Sequence, residues 1–320
     1  MARTLLVYRT VVTARRNLLG LAVGVVAFGA SLVLGCGGLA PPNGDSDADD
    51  APDLRASKGP APFAASKAPV CNTPTPLLVH HDEHGRVDRL HATLTARDMT
   101  GPYLVDTGSS RSFVTYSDQE ASNWAKTTIG CASTSLPIIA RLRPGSTPNG
   151  DAQAGVLGSD LLAHGSVLDL DLRASTLGWY YPAPKAPPEA VVLPIEWRNG
   201  WLIASGIVLD GKPVKLVVDT GSTNIIWLDS NPRSGEVRED TVDGTANPVV
   251  LFHGAGQVSF AGSEVRAVPV DRTDEFATLK SLVMSLGGDV HGLLGMTALG
   301  RDRVILSRDS LAIVLPTTPR

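Results

Sequence analysis

The chain has 320 residues, 43% of them apolar, with 32 Gly, 23 Pro and a net charge of −4. That length holds two domains of ordinary size, the apolar share is enough to bury a core, and the Gly and Pro content suits many turns. The mild negative charge gives no reason to expect a nucleic-acid partner and disfavours adhesion to anionic lipid.

The first element is an export signal. Arg3, Arg9, Arg15 and Arg16 are the only charges in the first 35 residues, leaving 24 basic against 32 acidic residues after them. Arg15 and Arg16 precede an uncharged apolar run of 17 residues, 18–34, that ends in Val33-Leu34-Gly35-Cys36. A basic stretch, an apolar run and small residues at its end describe a secretory signal over residues 1–36. A Cys after an apolar-apolar-Gly triplet resembles a bacterial lipobox. The resemblance implies lipidation of Cys36, removal of what precedes it and, because Gly37 rather than Asp follows, an outer-membrane lipoprotein of the cell envelope. The alternative is an uncut N-terminal helix, for which 17 residues lie at the short edge of a ~30 Å hydrocarbon core. Residues 37–70 are rich in Ala, Pro, Gly and Ser, with Asp45, Asp47, Asp49, Asp50 and Asp53 clustered. Such a segment cannot bury enough surface to offset its ordering entropy, so it is predicted to be a disordered linker, with a propeptide as the sharper alternative.

Cys71 and Cys131 are the other two cysteines. Two thiols in an exported chain predict one disulfide, and closing a loop of this length stabilises by up to about 4 kcal/mol in the chain-entropy model. Two free buried thiols are the alternative. No Cys-x-x-Cys is present, so a zinc site of that kind is not expected. Residues 80–84 read HHDEH, with His80, His81 and His84 around Asp82 and Glu83. These side chains suit a divalent cation, but the spacing fits no helix or hairpin ligand pattern and Gly85 interrupts it, so a solvated loop is the better reading and no metal is assigned.

From residue 87 the chain repeats itself. VDRLHATLTARDMTGPYLVDTGSSRSFV (87–114) and NGWLIASGIVLDGKPVKLVVDTGSTNIIWL (199–228) each give a strand, a polar turn, and a second strand running into Asp-Thr-Gly-Ser. The turns are placed at 97–101 and at Asp210-Gly211, the latter a strong hairpin signal. Downstream, GVLGSDLL from Gly155 matches GLLGMTAL from Gly292, each followed by a strand, a turn and a strand. Short helices are predicted at 159–163 and 281–285. The two Asp-Thr-Gly motifs lie 113 residues apart, which divides the chain into duplicated lobes, 71–181 and 191–320, with a Pro-rich linker at 182–190. Strands dominate, and the fold class is mostly β.

Apolar-apolar-Asp-Thr-Gly-Ser occurring twice, each copy followed by apolar residues and a downstream apolar-Leu-Gly, resembles the pepsin-like and retropepsin-like aspartic proteases over most of residues 87–316. The short spacing is closer to the compact retropepsin-like lobe. The resemblance implies two acid-protease-like closed barrels related by a pseudo-two-fold axis, fused in one chain and therefore monomeric. It implies an endopeptidase that binds a polypeptide in extended conformation, with Asp106 and Asp219 catalytic and no cofactor. Two carboxylates a few Å apart cannot both ionise readily, so they share one proton; pepsin-type dyads are the standard illustration of this rule. Gly108 and Gly221 let the loops turn closely, and Thr107 and Thr220 bond across the axis. Ser109 and Ser222 are expected to donate to the carboxylates, lower their pKa and set an acidic optimum. Leu157-Gly158 and Leu294-Gly295 pack beneath the loops. The rival function is a catalytically inactive envelope lipoprotein that binds peptide or protein in the same groove.

Members of this family close a hairpin flap over the substrate. Only 52 residues separate Asp106 from Gly158, against 76 from Asp219 to Gly295. The flap is therefore expected in the second lobe, as a hairpin of 248–252 and 257–260 with its tip at His253-Gly254-Ala255-Gly256. Trp179, Tyr180 and Tyr181 are read as packing. Trp197 and Trp201 flank a turn at Asn199-Gly200. No Gly-x-Ser-x-Gly context marks a serine nucleophile.

Overall fold

The computed structural model describes residues 74–314, apart from 97–98, 117–123, 130–131, 141–146, 164, 181–185, 230, 232, 243–246 and 301. Cys36, Cys71, Cys131 and the apolar N-terminal run lie outside the described residues. No helix among the described residues is long and apolar enough to cross a membrane.

The first half comprises β1 (Thr75–His81), β2 (Val87–Ala96), β3 (Met99–Val105), β4 (Phe113–Tyr116), β5 (Trp124–Ile129), β6 (Ala132–Ala140), β7 (Gly155–Leu157), a 3₁₀ turn (Ser159–Leu162), β8 (Val167–Asp171) and β9 (Thr176–Tyr180). The second comprises β10 (Ala190–Arg198), β11 (Trp201–Leu209), β12 (Lys212–Val218), β13 (Ile225–Leu228), β14 (Val237–Val242), β15 (Pro248–Phe260), β16 (Arg266–Thr273), α1 (Ala277–Ser285), β17 (Gly292–Leu294), α2 (Met296–Leu299), β18 (Arg303–Leu306) and β19 (Ser310–Val314). The protein is mostly β, and its strands join in one large mixed sheet.

The two tight turns that sequence predicts in the second half form as expected. Asn199 and Gly200 have φ of 51° and 89°, and Asp210 and Gly211 have 51° and 78°. Two successive left-handed residues match the right-handed twist of the strands they join, and Asn, Asp and Gly tolerate that conformation best. In the first half the span 97–101 assigned to the turn is too long, because Met99 to Gly101 belong to β3. Pairing runs on to Ala96 opposite Met99, which puts Gly101 inside β3 opposite Leu94. There a Cβ on Gly101 would stand 2.8 Å from the Cβ of Ala154.

The strand that leads into each Asp-Thr-Gly is sandwiched in the same way. β3 runs parallel to β7, with Val105 opposite Leu157, and β7 pairs antiparallel with β4. β12 runs parallel to β17, with Val218 opposite Leu294, and β17 pairs antiparallel with β13. In both halves the strand after the motif takes a further parallel neighbour, β6 for β4 and β16 for β13. Strands buried on both faces read as continuous apolar runs, which is what Tyr103-Leu104-Val105 and Leu216-Val217-Val218 are.

Six antiparallel strands, in the order β1, β9, β8, β18, β19, β10, join the halves. The junction is β8 against β18, where Leu168 faces Leu306 and Asp169 faces Ile305. The Asp169 carboxylate accepts from Nε of Arg303 at 2.8 Å and from its Nη2. One apolar core contains residues of both halves, among them Leu90, Leu157, Leu170, Leu216, Leu294 and Leu306. A second cluster seats α1, whose buried Leu279, Leu282 and Val283, with Leu286 just after the helix, form one stripe at helical spacing against Trp201, Ile203 and Val217.

The expected second-half flap is corrected. Residues 248–260 form one uninterrupted strand of 13 residues, β15, with no turn at His253-Gly254-Ala255-Gly256. β15 pairs with β14 over its first part, with β16 from Phe252 to Val258, and with β11 at its end. The hairpin in this region is β14 with β15, closed from Val242 opposite Pro248.

Candidate active site

Asp106 follows β3 directly and Asp219 follows β12. Each aspartate's backbone N–H donates to the last carbonyl of the parallel neighbour, Asp106 to Leu157 at 2.9 Å and Asp219 to Leu294 at 3.0 Å. Each carbonyl then accepts the N–H three residues on, from Ser109 at 3.0 Å and Ser222 at 3.2 Å. The two loops meet. The Thr107 N–H donates to Thr220 Oγ1 at 3.0 Å and the Thr220 N–H to Thr107 Oγ1 at 3.2 Å. The hydroxyls complete the exchange, Thr107 donating to the Val218 carbonyl at 2.8 Å and Thr220 to the Val105 carbonyl at 2.7 Å. All four bonds are buried, so they are short of competing water and each satisfies a group that would otherwise be costly to bury.

This exchange presses each glycine against the opposite carboxyl. A Cβ on Gly108 would lie 2.3 Å from Cγ of Asp219, and one on Gly221 would lie 2.6 Å from Cγ of Asp106. The carboxyls themselves are hydrogen-bonded to one another. Asp106 and Asp219 are both buried, at 2% and 0% exposure. Asp219 is held well above the ordinary carboxylate range, first by burial, then by the charge of Asp106 and the bond to it. The N–H groups of Gly221 and Ser222, which donate to Asp219 Oδ1 at 2.9 and 3.1 Å, oppose that shift without overcoming it. The pair therefore retains a proton at a pH where an isolated carboxyl would have lost it.

Ser109 and Ser222 support the loops, but not by the route sequence predicts. The Ser109 hydroxyl donates to the Arg111 carbonyl at 2.8 Å and that of Ser222 to the Asn224 carbonyl at 3.2 Å, each two residues along its own loop. Both hydroxyls are directed to backbone carbonyls rather than to the Asp106 and Asp219 carboxyls, and the expected lowering of pKa from that source is not supported. Gly158 and Gly295 do lie under the loops. Cβ atoms there would stand 2.6 Å from the Arg111 carbonyl and 2.2 Å from the Asn224 carbonyl. The residues after them reach up to the loops, the Ser159 N–H to the Ser109 carbonyl at 2.8 Å and the Met296 N–H to the Ser222 carbonyl at 2.9 Å.

Further residues join the site that sequence did not single out. Asp160 accepts from the Ser112 N–H at 2.9 Å and the Ser112 hydroxyl at 2.6 Å, and Ser112 Oγ accepts the Gly158 N–H at 2.8 Å. Burial raises the Asp160 pKa against those bonds. Thr223 donates across to Asp88 on β2, and Ser159 donates to the Gly200 carbonyl in the β10–β11 turn, so each loop region is tied to the other half. Asn224 is held by Asp271, whose Oδ2 accepts from Nδ2 at 3.1 Å. Nothing in the sequence marks these pairs, because the partners lie 41 to 135 positions apart.

The remaining predicted residues are elsewhere. His80 and His81 belong to β1, and Asp82 organises the turn after it, accepting the N–H groups of His84 and Arg86 at 2.9 Å each and pairing with the Arg86 guanidinium. Among the described residues no three His, Cys, Asp or Glu side chains are grouped to hold a metal. Trp179 is buried and its indole N–H reaches the Leu161 carbonyl at 3.3 Å, as packing requires. Comparison of the chain with protein-family models finds no match, and comparison with curated proteins finds none either.

Proposed function

We propose that the chain is an aspartic endopeptidase, built as two barrel-like lobes related by a pseudo-two-fold axis and carried on one polypeptide. The observation that carries this reading is the reciprocal threonine exchange that brings Asp106 and Asp219 into contact. The recurrence of the same strand pairings around each aspartate supports the two-lobe arrangement. The contact leaves one proton on the pair, with Asp219 the side that burial favours. The ionised member takes a proton from a water molecule as its oxygen attacks the scissile carbonyl carbon, while the protonated member donates to the carbonyl oxygen. Collapse of the resulting diol breaks the C–N bond, the proton taken from water passes to the amine, and the pair again holds one proton. Binding of an extended peptide between the lobes through main-chain hydrogen bonds fits the β architecture. The N-terminal signal and Cys36 place the lobes outside the cytoplasmic membrane in this reading, tethered by lipid.

The test is cleavage of an unfolded protein substrate between pH 3 and 8 by the full chain, alongside Asp106→Asn and Asp219→Asn. Both variants are expected to lose about 10³-fold or more in kcat/KM. Full-rate cleavage by either variant would sink the paired mechanism. A folded parent that is inert throughout, and that no statine-type transition-state mimic protects, favours the peptide-binding reading instead.

A further inference from the structure

The loop that carries Asp219 ends at Asn224, and a line of side chains leads from there across three strands. Asn224 Nδ2 donates to Asp271 Oδ2 on β16 at 3.1 Å. Asp271 Oδ1 lies 2.8 Å from Nδ1 of His253 on β15, its direct cross-strand neighbour. His253 Nε2 lies 2.7 Å from Oε2 of Glu239 on β14. Asn224 is also the residue whose carbonyl accepts Ser222 and overlies Gly295, and whose side-chain oxygen faces Thr297 at 3.4 Å.

The protonation state of His253 follows from this geometry. A neutral imidazole has one N–H and one lone pair. Here both ring nitrogens face carboxylate oxygens at hydrogen-bond distance, so a neutral ring would set its lone pair against one of them. Only the imidazolium satisfies both, and charge-assisted bonds of this kind are about twice as strong as neutral ones. Glu239, Asp271 and the ring are partly buried, with side chains at 23%, 11% and 25% exposure, so water screens them incompletely. Consistently, His253 is raised to about 9, chiefly by its bond to Asp271.

We infer that His253 is a positioning residue for the proposed reaction: as an imidazolium between Glu239 and Asp271 it fixes Asn224, and through it couples the β14–β15 hairpin to the loop that presents Asp219. The inference rests on the endopeptidase reading for its consequence in catalysis, but the coupling itself is a property of the folded chain. Without the charge, Glu239 and Asp271 face each other across a ring that cannot bridge them. Asp271 then turns from Asn224, and the hairpin and loop move independently.

The experiment uses the full chain as parent, His253→Gln, His253→Lys, Asn224→Ala and the double variant of His253→Gln with Asn224→Ala. Amide hydrogen exchange is read over residues 223–228 and 248–260. His253→Gln is expected to speed exchange at least about tenfold in both segments, the size of one charge-assisted bond. His253→Lys, which keeps a cation between the carboxylates, is expected to restore part of the protection. The Asn224→Ala and His253→Gln effects on 223–228 are expected not to add. In ¹⁵N-labelled parent at pH 7 both ring nitrogens of His253 should carry protons. If cleavage is found, His253→Gln should lower kcat by about tenfold with a smaller change in KM. Unchanged exchange at 223–228 in His253→Gln, additive effects in the double variant, or a singly protonated ring would each overturn the inference. A chain that shows the coupling yet cuts nothing overturns the endopeptidase reading and leaves the coupling standing.

Discussion

Gly108 and Gly221 are confined to hydrogen by the carboxyl of the opposite loop, and that makes them sensitive reporters of the dyad. Alanine at Gly108 sets a methyl within 2.3 Å of Asp219, and at Gly221 within 2.6 Å of Asp106. Neither loop can yield, because the threonine exchange pins both. Each substitution is therefore expected to part the carboxyls and reduce cleavage by at least about 10²-fold, with a lowered Tm and the larger effect at Gly108. Retained activity in Gly108→Ala would mean that the loops are not locked together as described. The buried carboxyl of Asp219 carries a stability cost of its own. Its folded pKa is raised well above the ordinary carboxylate value of 3.8, so its favourable contribution is complete below that value and is lost as pH rises through the folded one. Asp219→Asn does not ionise. It should show a higher Tm than the parent at pH 8, a smaller difference at pH 4, and no cleavage at either. A Tm at pH 8 equal to or below the parent's would show that the pair holds its charge without strain.

Along β14, β15 and β16 the stability of the sheet is expected to depend on pH through His253. Its folded value, about 9, lies above the ordinary imidazole value of 6.5, so its contribution is full below 6.5 and disappears as pH rises through about 9. Urea denaturation at pH 6.5 and pH 9.5 should show a fall in the parent that His253→Gln lacks; parallel falls in the two proteins would assign the change to other groups. The same strand marks the limit of what the sequence discloses. Asp210-Gly211 and Asn199-Gly200 could be read as turns because a left-handed residue pair is a local requirement. His253-Gly254-Ala255-Gly256 looks similar on paper, yet it is extended. Gly254 and Gly256 are needed for space: their Cβ atoms would meet Cγ of Glu236 at 2.7 Å and Cγ2 of Val270 at 2.7 Å. Neighbours brought in from distant sequence decide that, and no local pattern records it. The aspartates, threonines and glycines of the two motifs were legible because the motif is contiguous and occurs twice. Asp160, Asn224, Asp271 and His253 were not, since their partners are set by strand register. The direction of the Ser109 and Ser222 hydroxyls depends in the same way on the fold of each loop, and a motif cannot supply it.

The whole molecule is held together where β8 meets β18. Leu168 and Leu306 face each other there, both fully buried, in a core that draws side chains from both halves. The proposed active site has the same dependence, because the carboxyl contact and the threonine exchange each need one loop from each half. Thr223 to Asp88 and Ser159 to Gly200 add cross-links close to the loops. The halves should therefore unfold as one cooperative unit, although repetition of the strand pairings would let each be imagined alone. Leu306→Ala removes a buried side chain at the junction and is expected to cost about 2–5 kcal/mol. Its effect should reach both halves equally: the slowest-exchanging amides of β3 and of β12 should speed by the same factor, although the substitution lies on neither strand. Cleavage should persist wherever the variant is folded, since Leu306 lies on β18, opposite Leu168 and Leu311, and on neither carboxyl loop. If β12 loses protection while β3 keeps it, the halves are separate folding units that only dock. The dyad would then report an association between them, and activity would fall before either half melts.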